Sequence, residues 1–134
     1  MIINESNGTI INTKNVYLHD DNLLLFGFER NEKKIQLKLE KYSSRIPYVI
    51  TFRDVIGFEM SSCDFWGASE CVLDFEYVEP CVRTIIPKLE RKWGSVPCCL
   101  EKFKYNDYIE ILFTFGSGDE LRIASKTIEI DQAM

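Results

Sequence analysis

Hydrophobic and polar residues alternate with a period of two along most of this chain, which is the pattern of β-strands with one buried face. The clearest run is 34–40, where Ile35, Leu37 and Leu39 share one face and polar side chains occupy the other. Similar runs, separated by short polar turns, predict strands at 48–52, 55–60, 70–77, 108–115 and 120–124. The last two flank a Gly-Ser-Gly-Asp turn at 116–119 and are predicted to form a hairpin. We therefore predict eight or nine strands in mainly antiparallel order.

Two segments invite finer predictions. The run 20–22 favours a turn because Asp and Asn side chains bond nearby backbone groups, so we predict a hairpin between 15–18 and 23–28. Residues 23–26 are apolar on both faces, as in a central strand. In the strand 70–77, simple alternation places Cys71, Leu73, Phe75 and Tyr77 inward and Glu70, Val72, Asp74 and Glu76 outward.

A single segment has the apolar spacing of a helix. It covers 85–93, with Pro87 in the first turn and Gly94 at the position of a left-handed C-cap. Beyond it, Ile128 and Ile130 are out of phase with Leu121, so we expect a bend near 125–126. The predicted fold is mainly β (α+β): one domain, residues 1–134, in which a bent antiparallel sheet forms a sandwich or half-open barrel with one short helix.

Composition and charge limit the partners. The 134 residues are 46% hydrophobic, which is enough for one core, and the formal net charge is −5. The interval 54–82 contains seven acids and no Lys or Arg. Because phosphate binding needs clustered basic residues, we expect neither nucleic acid nor an anionic membrane as a partner, whereas a basic protein surface is favoured. No basic and apolar leader or spanning segment is evident, so we expect a cytoplasmic protein.

Candidates for catalysis or metal binding are few. His19, the single histidine, has no recognised nucleophile motif beside it, so we interpret it as a solvated turn residue. The five cysteines include no CxxC pair, which indicates free thiols, no metal site and no cofactor. Asp74 and Glu76 stand side by side and could perform acid/base chemistry, but a domain of this size has little room for a deep substrate cleft. We therefore expect no enzymatic activity.

The stretch 60–67 carries Phe65 and Trp66 between two predicted strands. One interpretation is a loop that folds back and plugs one end of the core, which we favour for Trp66 because most tryptophans are largely buried. The other is an exposed aromatic anchor ringed by acids, the composition of an interface hot spot. The acids on either side can form an interface in both cases.

Several motifs together resemble a known family. Ser-Cys-Asp-Phe-Trp-Gly at 62–67, Leu-Asp-Phe-Glu-Tyr at 73–77, the short helix and Ser-Gly-Asp-Glu-Leu-Arg-Ile-Ala at 117–124 follow one another within about residues 48–130. In this order they resemble the small, mostly β immunity proteins with a Trp-Gly motif from bacterial polymorphic-toxin systems. The resemblance implies a cytosolic protein that binds and neutralises a cognate toxin without catalysis. The acidic interval adds that the toxin domain is basic, for example a nuclease.

Two functions of different classes therefore remain. The first is an inhibitory binding protein whose acidic surface docks on a basic toxin domain; we assign its contacts to Asp64, Phe65, Trp66, Glu70, Asp74, Glu76 and Glu79. The second is a small-ligand or regulatory β domain that holds an apolar molecule near Trp66 and Trp93. A toxin-like reading frame beside the gene favours the first, and a lined apolar cavity with convergent polar groups favours the second. The sequence pattern indicates no particular oligomeric state.

Overall fold

A computed structural model describes residues 1–13, 16–61, 71–93 and 107–131. Within these ranges it contains nine strands and one α-helix: β1 (Ile2–Ile3), β2 (Asn22–Glu29), β3 (Lys34–Glu40), β4 (Pro47–Arg53), β5 (Gly57–Met60), β6 (Val72–Tyr77), α1 (Ile85–Trp93), β7 (Ile109–Phe115), β8 (Glu120–Ser125) and β9 (Thr127–Asp131). Short 3₁₀ helices occupy Gly8–Asn12 and Pro80–Val82. The strands form two antiparallel sheets, in the orders β1-β9-β4-β3-β2 and β5-β8-β7-β6.

One bent ribbon connects the two sheets. β4 pairs with β9 in the five-stranded sheet, and their neighbours along the chain, β5 and β8, pair in the four-stranded sheet. The crossing is itself hydrogen-bonded, because Lys126 N donates to Arg53 O at 3.1 Å and Ile56 N donates to Ala124 O at 2.9 Å. The predicted bend near 125–126 lies at this crossing. The bent antiparallel sheet is thus confirmed, and its two halves pack face to face in a sandwich-like fold.

The core lies between the sheets. Ile35, Leu37 and Leu39 are fully buried, as their alternation predicted. The Phe113 ring stacks on Phe75 with 4.5 Å between centroids, and the Phe52 ring from the opposite sheet meets Phe113 edge-on at 6.3 Å. These aromatic contacts hold β6 and β7 against the five-stranded sheet.

The predicted hairpin before β3 is wrong. Residues 16–19 form no strand, although Val16 is buried and Tyr17 exposed in the alternation that suggested one. The turn at 20–22 instead places the chain beside β6, and Asp20 adopts a left-handed φ of 70° there. Asp20 N donates to Val72 O at 2.7 Å, and Val72 N donates to Asp21 O at 2.8 Å. β2 then lies beside β3 at the edge of its sheet, so it is not a central strand. Its outward-facing Leu25 is 60% exposed.

The predicted faces of the strand at 70–77 are partly wrong. Val72 is fully buried and Leu73 is 44% exposed, the reverse of simple alternation. The cause is an irregularity between Val72 and Asp74 in the pairing with β7, since an extra residue changes the parity of a strand. Beyond it, Phe75 and Tyr77 face the core and Asp74 faces outward, as predicted.

The helix is confirmed with its predicted bounds, and so is the hairpin of β7 and β8. The turn between these strands contains Gly118 at a φ of 91°, a conformation that glycine adopts without strain. Gly57 lies beneath α1: a Cβ atom at this position would be 2.9 Å from Cγ2 of Ile85. The close neighbour is therefore a helix side chain.

Candidate functional site

The candidate site is a cleft along the outer edge of β6. Its volume is about 390 Å³, and its walls come from three stretches of chain, 11–13, 16–19 and 73–76. We call it the β6 cleft. It includes Asp74 and Glu76 from the sequence-predicted interface, together with His19. Both chain segments that oppose β6 lie before the first long strand, and their residue pattern carries no sign that they would meet it.

Hydrogen bonds close the edge of β6 at both ends of the cleft. At one end, Val72 exchanges main-chain hydrogen bonds with Asp20 and Asp21. At the other end, Tyr77 N donates to Oδ1 of Asn12 at 2.9 Å. Between these two points, the described part of the chain provides no hydrogen bond to the edge of the strand. Among the described residues, the β6 cleft is therefore a section of sheet edge without hydrogen-bonded partners.

The N-terminal wall of the cleft is fastened by an ion pair. The Arg83 side chain is only 6% exposed, and its Nη2 lies 2.7 Å from Oε2 of Glu5. The Tyr77 hydroxyl donates to Oε1 of Glu5 at 2.7 Å and accepts from Arg83 at 2.9 Å. Burial, and then the hydrogen bond and the charge of Glu5, raise the pKa of Tyr77 to about 12. This network ties the segment before Asn12 to the end of β6.

The floor of the β6 cleft is apolar and its rim is aromatic. Ile11, Val16 and Leu18 are each less than 10% exposed and form the floor with Phe75. Tyr17 stands at the rim with 63% exposure. Its ring stacks on His19 at a centroid distance of 6.0 Å.

His19 and Tyr17 are the cleft residues that sequence reasoning missed. His19 is exposed, as expected, but its Nδ1 lies 3.1 Å from Oδ2 of Asp20, and the ring also lines the β6 cleft. The available signal was the alternation of 16–19, which correctly separates buried Val16 and Leu18 from exposed Tyr17. Alternation does not predict which segment of the chain lies next to the exposed side chains.

Two carboxylates stand on the outer side of the cleft. Asp74 is exposed and Glu76 is half-buried, and both lie on the face of the four-stranded sheet directed away from the core. Neither forms an ion pair within the described ranges, in contrast to Glu59 on the same face, which pairs with Lys88. The register places Glu120 in the row of Asp74, two strands away. The same register places Arg122 in the row of Glu76, where its Nη1 lies 3.5 Å from Oε2 of Glu110. Among the described residues, Asp74 and Glu76 thus remain without an ion pair.

The remaining residues of the predicted interface are distributed as follows. Glu79 is exposed at the start of the second 3₁₀ helix and is not among the lining residues of the β6 cleft. The structure thus brings Asp74 and Glu76 together without Glu79. Asp64, Phe65, Trp66 and Glu70 lie outside the described residues, and so does the choice between a buried plug and an exposed anchor for Trp66.

Metal ligands and membrane-spanning helices are absent from the described part of the chain. No three His, Cys, Asp or Glu side chains converge there as a metal-binding group. Within the same ranges, no helix has both the length and the apolar character needed to cross a membrane.

Comparison with known proteins informs the fold alone. No family model and no curated protein sequence matches the chain. Among solved structures, the chain is similar to an uncharacterized protein from Neisseria gonorrhoeae, with a TM-score of 0.52, 13% sequence identity and coverage of 99% of both chains. The similarity supports the same architecture over the whole length.

Proposed function

We propose that this protein is a non-enzymatic binding protein that captures a basic protein with the side of the four-stranded sheet that carries Asp74 and Glu76. The observation that supports the proposal most directly is the position of these two carboxylates, unpaired among the described residues, beside an apolar cleft at a sheet edge. An apolar floor with charges at its rim is the usual composition of an interface.

The resemblance to immunity proteins suggests what kind of protein the basic partner is. As an immunity protein, the chain binds a cognate toxin domain in the cytoplasm and blocks its working surface. A basic toxin domain is attracted by the negative side of the sheet, which accelerates encounter more than it strengthens the final complex. The apolar contacts of the β6 cleft then determine how long the complex lasts.

Charge reversal tests this proposal. In the Asp74→Lys/Glu76→Lys variant, both changes face away from the core, so we expect the fold to persist. Wild-type protein captured from the cells that encode it is expected to carry a basic partner, identified by mass spectrometry, which the variant loses. With the purified partner, association is expected to slow at least about tenfold at low salt and to lose most of its salt dependence.

The matched control is Glu32→Lys/Asp131→Lys. Both of its residues are exposed acids at the five-stranded sheet, one in the turn between β2 and β3 and one on β9, and the control changes the net charge by the same amount. We expect the control to bind nearly as wild type does. Equal capture by wild type and the Asp74/Glu76 variant, with unchanged salt dependence, would contradict the proposed function.

One observation favours a second function, a domain that holds a small apolar ligand. The volume of the β6 cleft, about 390 Å³, lies in the range of roughly 300–1,000 Å³ that is typical of ligand pockets. Native mass spectrometry of the protein purified from its own cells distinguishes the two functions. A bound small molecule that is lost after Leu18→Lys, with no basic protein captured, would favour the ligand-binding domain.

A further inference from the structure

The edge of β6 between Val72 and Tyr77 combines three properties: main-chain groups that no described residue bonds, an apolar floor, and two carboxylates on its outer side. We propose that this edge binds a short extended segment of the basic partner by strand addition, with side chains in the order basic, apolar, basic. The inference rests on the proposed function and assigns the part of the partner that enters the β6 cleft.

The main chain of Phe75 faces the open edge of β6. In an antiparallel pair, the N–H and C=O groups of alternate residues point to opposite edges of the strand. Tyr77 N bonds Asn12, away from β7, whereas Val78 N bonds Glu110 O on the β7 side. Phe75 has the parity of Tyr77, so its N–H and C=O point into the β6 cleft. An extended peptide can satisfy both groups.

The length of the segment follows from the closed ends. The bonds of Val72 with 20–21 and of Tyr77 with Asn12 leave only 73–76 open. The edge therefore accepts a few residues of an extended chain and excludes a long strand. A projecting loop or a chain terminus of the partner fits this geometry, whereas the edge of a large regular sheet does not.

The side-chain order follows from the two faces of the added segment. Successive side chains of a strand point to opposite sides. On the outer side they meet Asp74 and Glu76, which have no ion-pair partner within the described ranges and are complementary to Lys or Arg. On the inner side they meet Phe75 and the buried floor residues Val16 and Leu18. The segment therefore carries basic residues at alternate positions with an apolar residue between them.

The probe is a synthetic peptide, acetyl-Lys-Val-Lys-Val-Lys-amide, added to the complete protein at millimolar concentration. NMR-detected hydrogen exchange is expected to show about tenfold slower exchange of the Phe75 amide, because that N–H becomes hydrogen-bonded. The Glu76 amide, which the β7 side already holds, is expected to change little. The peptide is also expected to bind the Asp74→Asn/Glu76→Gln variant at least about fivefold more weakly.

The control peptide carries N-methyl groups on both valines, which removes main-chain donors and keeps every charge. We expect it to lose the protection of Phe75 and to bind about tenfold more weakly than the parent. Equal binding of both peptides with Phe75 unprotected would overturn strand addition, and so would a captured basic partner that binds tightly while leaving Phe75 unprotected. Both results leave the proposed function standing. That function is contradicted by a different outcome: no basic partner in the capture experiment, or equal capture by wild type and the Asp74/Glu76 variant with unchanged salt dependence.

Discussion

Glu110 is a fully buried acid whose carboxylate bonds the start of α1 and also lies 3.5 Å from Nη1 of Arg122 on β8. Its carboxylate accepts hydrogen bonds from the main-chain N–H groups of Thr84, Ile85 and Ile86, at 3.0, 3.0 and 3.2 Å. These groups form the first turn of α1, where helical N–H groups have no partner within the helix. The negative charge also complements the positive end of the helix dipole. A strand residue thus caps a helix that begins 25 residues earlier in the chain.

Removal of this carboxylate is expected to be costly. In Glu110→Ala, three N–H groups at the start of α1, two of them buried, lose their acceptor. We expect the free energy of unfolding to fall by about 2–4 kcal/mol. Glu110→Gln retains one oxygen acceptor and should lose roughly half as much. Urea unfolding followed by circular dichroism measures both variants. A Glu110→Ala variant within about 0.5 kcal/mol of wild type would show that water replaces the cap.

The contact between α1 and the sheet depends on the absence of a side chain at Gly57. A Cβ atom added at this position would lie 2.9 Å from Cγ2 of Ile85, which is closer than Cβ atoms approach other groups in proteins. Gly57→Ala must therefore displace α1, and we expect a loss of about 1–3 kcal/mol of stability. Thermal unfolding monitored by circular dichroism measures this effect.

Gly27 provides the matched control, because it also lies within a strand but has open surroundings. A Cβ at Gly27 would meet only the Gln36 main-chain oxygen, at 3.8 Å. Alanine also restricts the unfolded chain more than glycine does, so Gly27→Ala is expected to be neutral or to stabilise by up to about 1 kcal/mol. Similar losses of stability in Gly57→Ala and Gly27→Ala would mean that the contact with α1 does not cause the loss in Gly57→Ala.

The elements that the sequence predicted well are those whose pattern is local. The helix Ile85–Trp93 and the hairpin of β7 and β8 carry their own turn residues and periodicity. The errors arise where a contact with a distant segment determines the path of the chain or the face of a strand. Asp20 turns the chain toward Val72 in place of closing a hairpin, and the irregularity at Leu73 reverses the faces at the start of β6. Neither the Asp20–Val72 hydrogen bond nor the irregularity at Leu73 can be predicted from the residues next to it in the sequence.

The candidate site, like the fold, was predictable only where the sequence pattern is local. Asp74 and Glu76 lie after the irregularity, where alternation is regular again, and their outward position was predicted correctly. The cleft beside them was not predictable, because it forms between β6 and residues about 60 positions earlier. Periodicity assigns a face to each side chain but says nothing about which segment lies opposite.

Tyrosine hydroxyls bonded to acids join distant parts of the molecule, Tyr77 to Glu5 and Tyr48 to Asp21, so high pH should loosen the fold. Burial is the main cause that raises the pKa values of Tyr48, Tyr77 and Tyr108, and nearby carboxylates add to it. Below pH 10, the ordinary pKa of tyrosine, Tyr77 is protonated in both folded and unfolded chains. Between pH 10 and about 12 the unfolded chain releases this proton first, so the free energy of unfolding falls as pH rises.

Tyr77→Phe measures how much Tyr77 contributes to the fall in the free energy of unfolding at alkaline pH. The variant has no hydroxyl proton to release, so its stability should fall less steeply between pH 10 and about 12. It should also be less stable than wild type at neutral pH, because Glu5 and Arg83 lose a shared hydrogen-bond partner. Urea unfolding at a series of alkaline pH values measures both effects. Parallel curves for the two proteins would show that Tyr77 ionises equally readily in both states.

Glu5→Gln separates the two causes of the raised pKa of Tyr77. It removes the charge beside the hydroxyl but leaves the ring buried, and burial is the larger cause. The alkaline decline of Glu5→Gln should therefore lie between those of wild type and Tyr77→Phe, and closer to wild type. A decline as shallow as that of Tyr77→Phe would instead make the Glu5 charge the main cause. In that case the N-terminal wall of the β6 cleft would be held mainly by electrostatics, and its stability would depend strongly on salt.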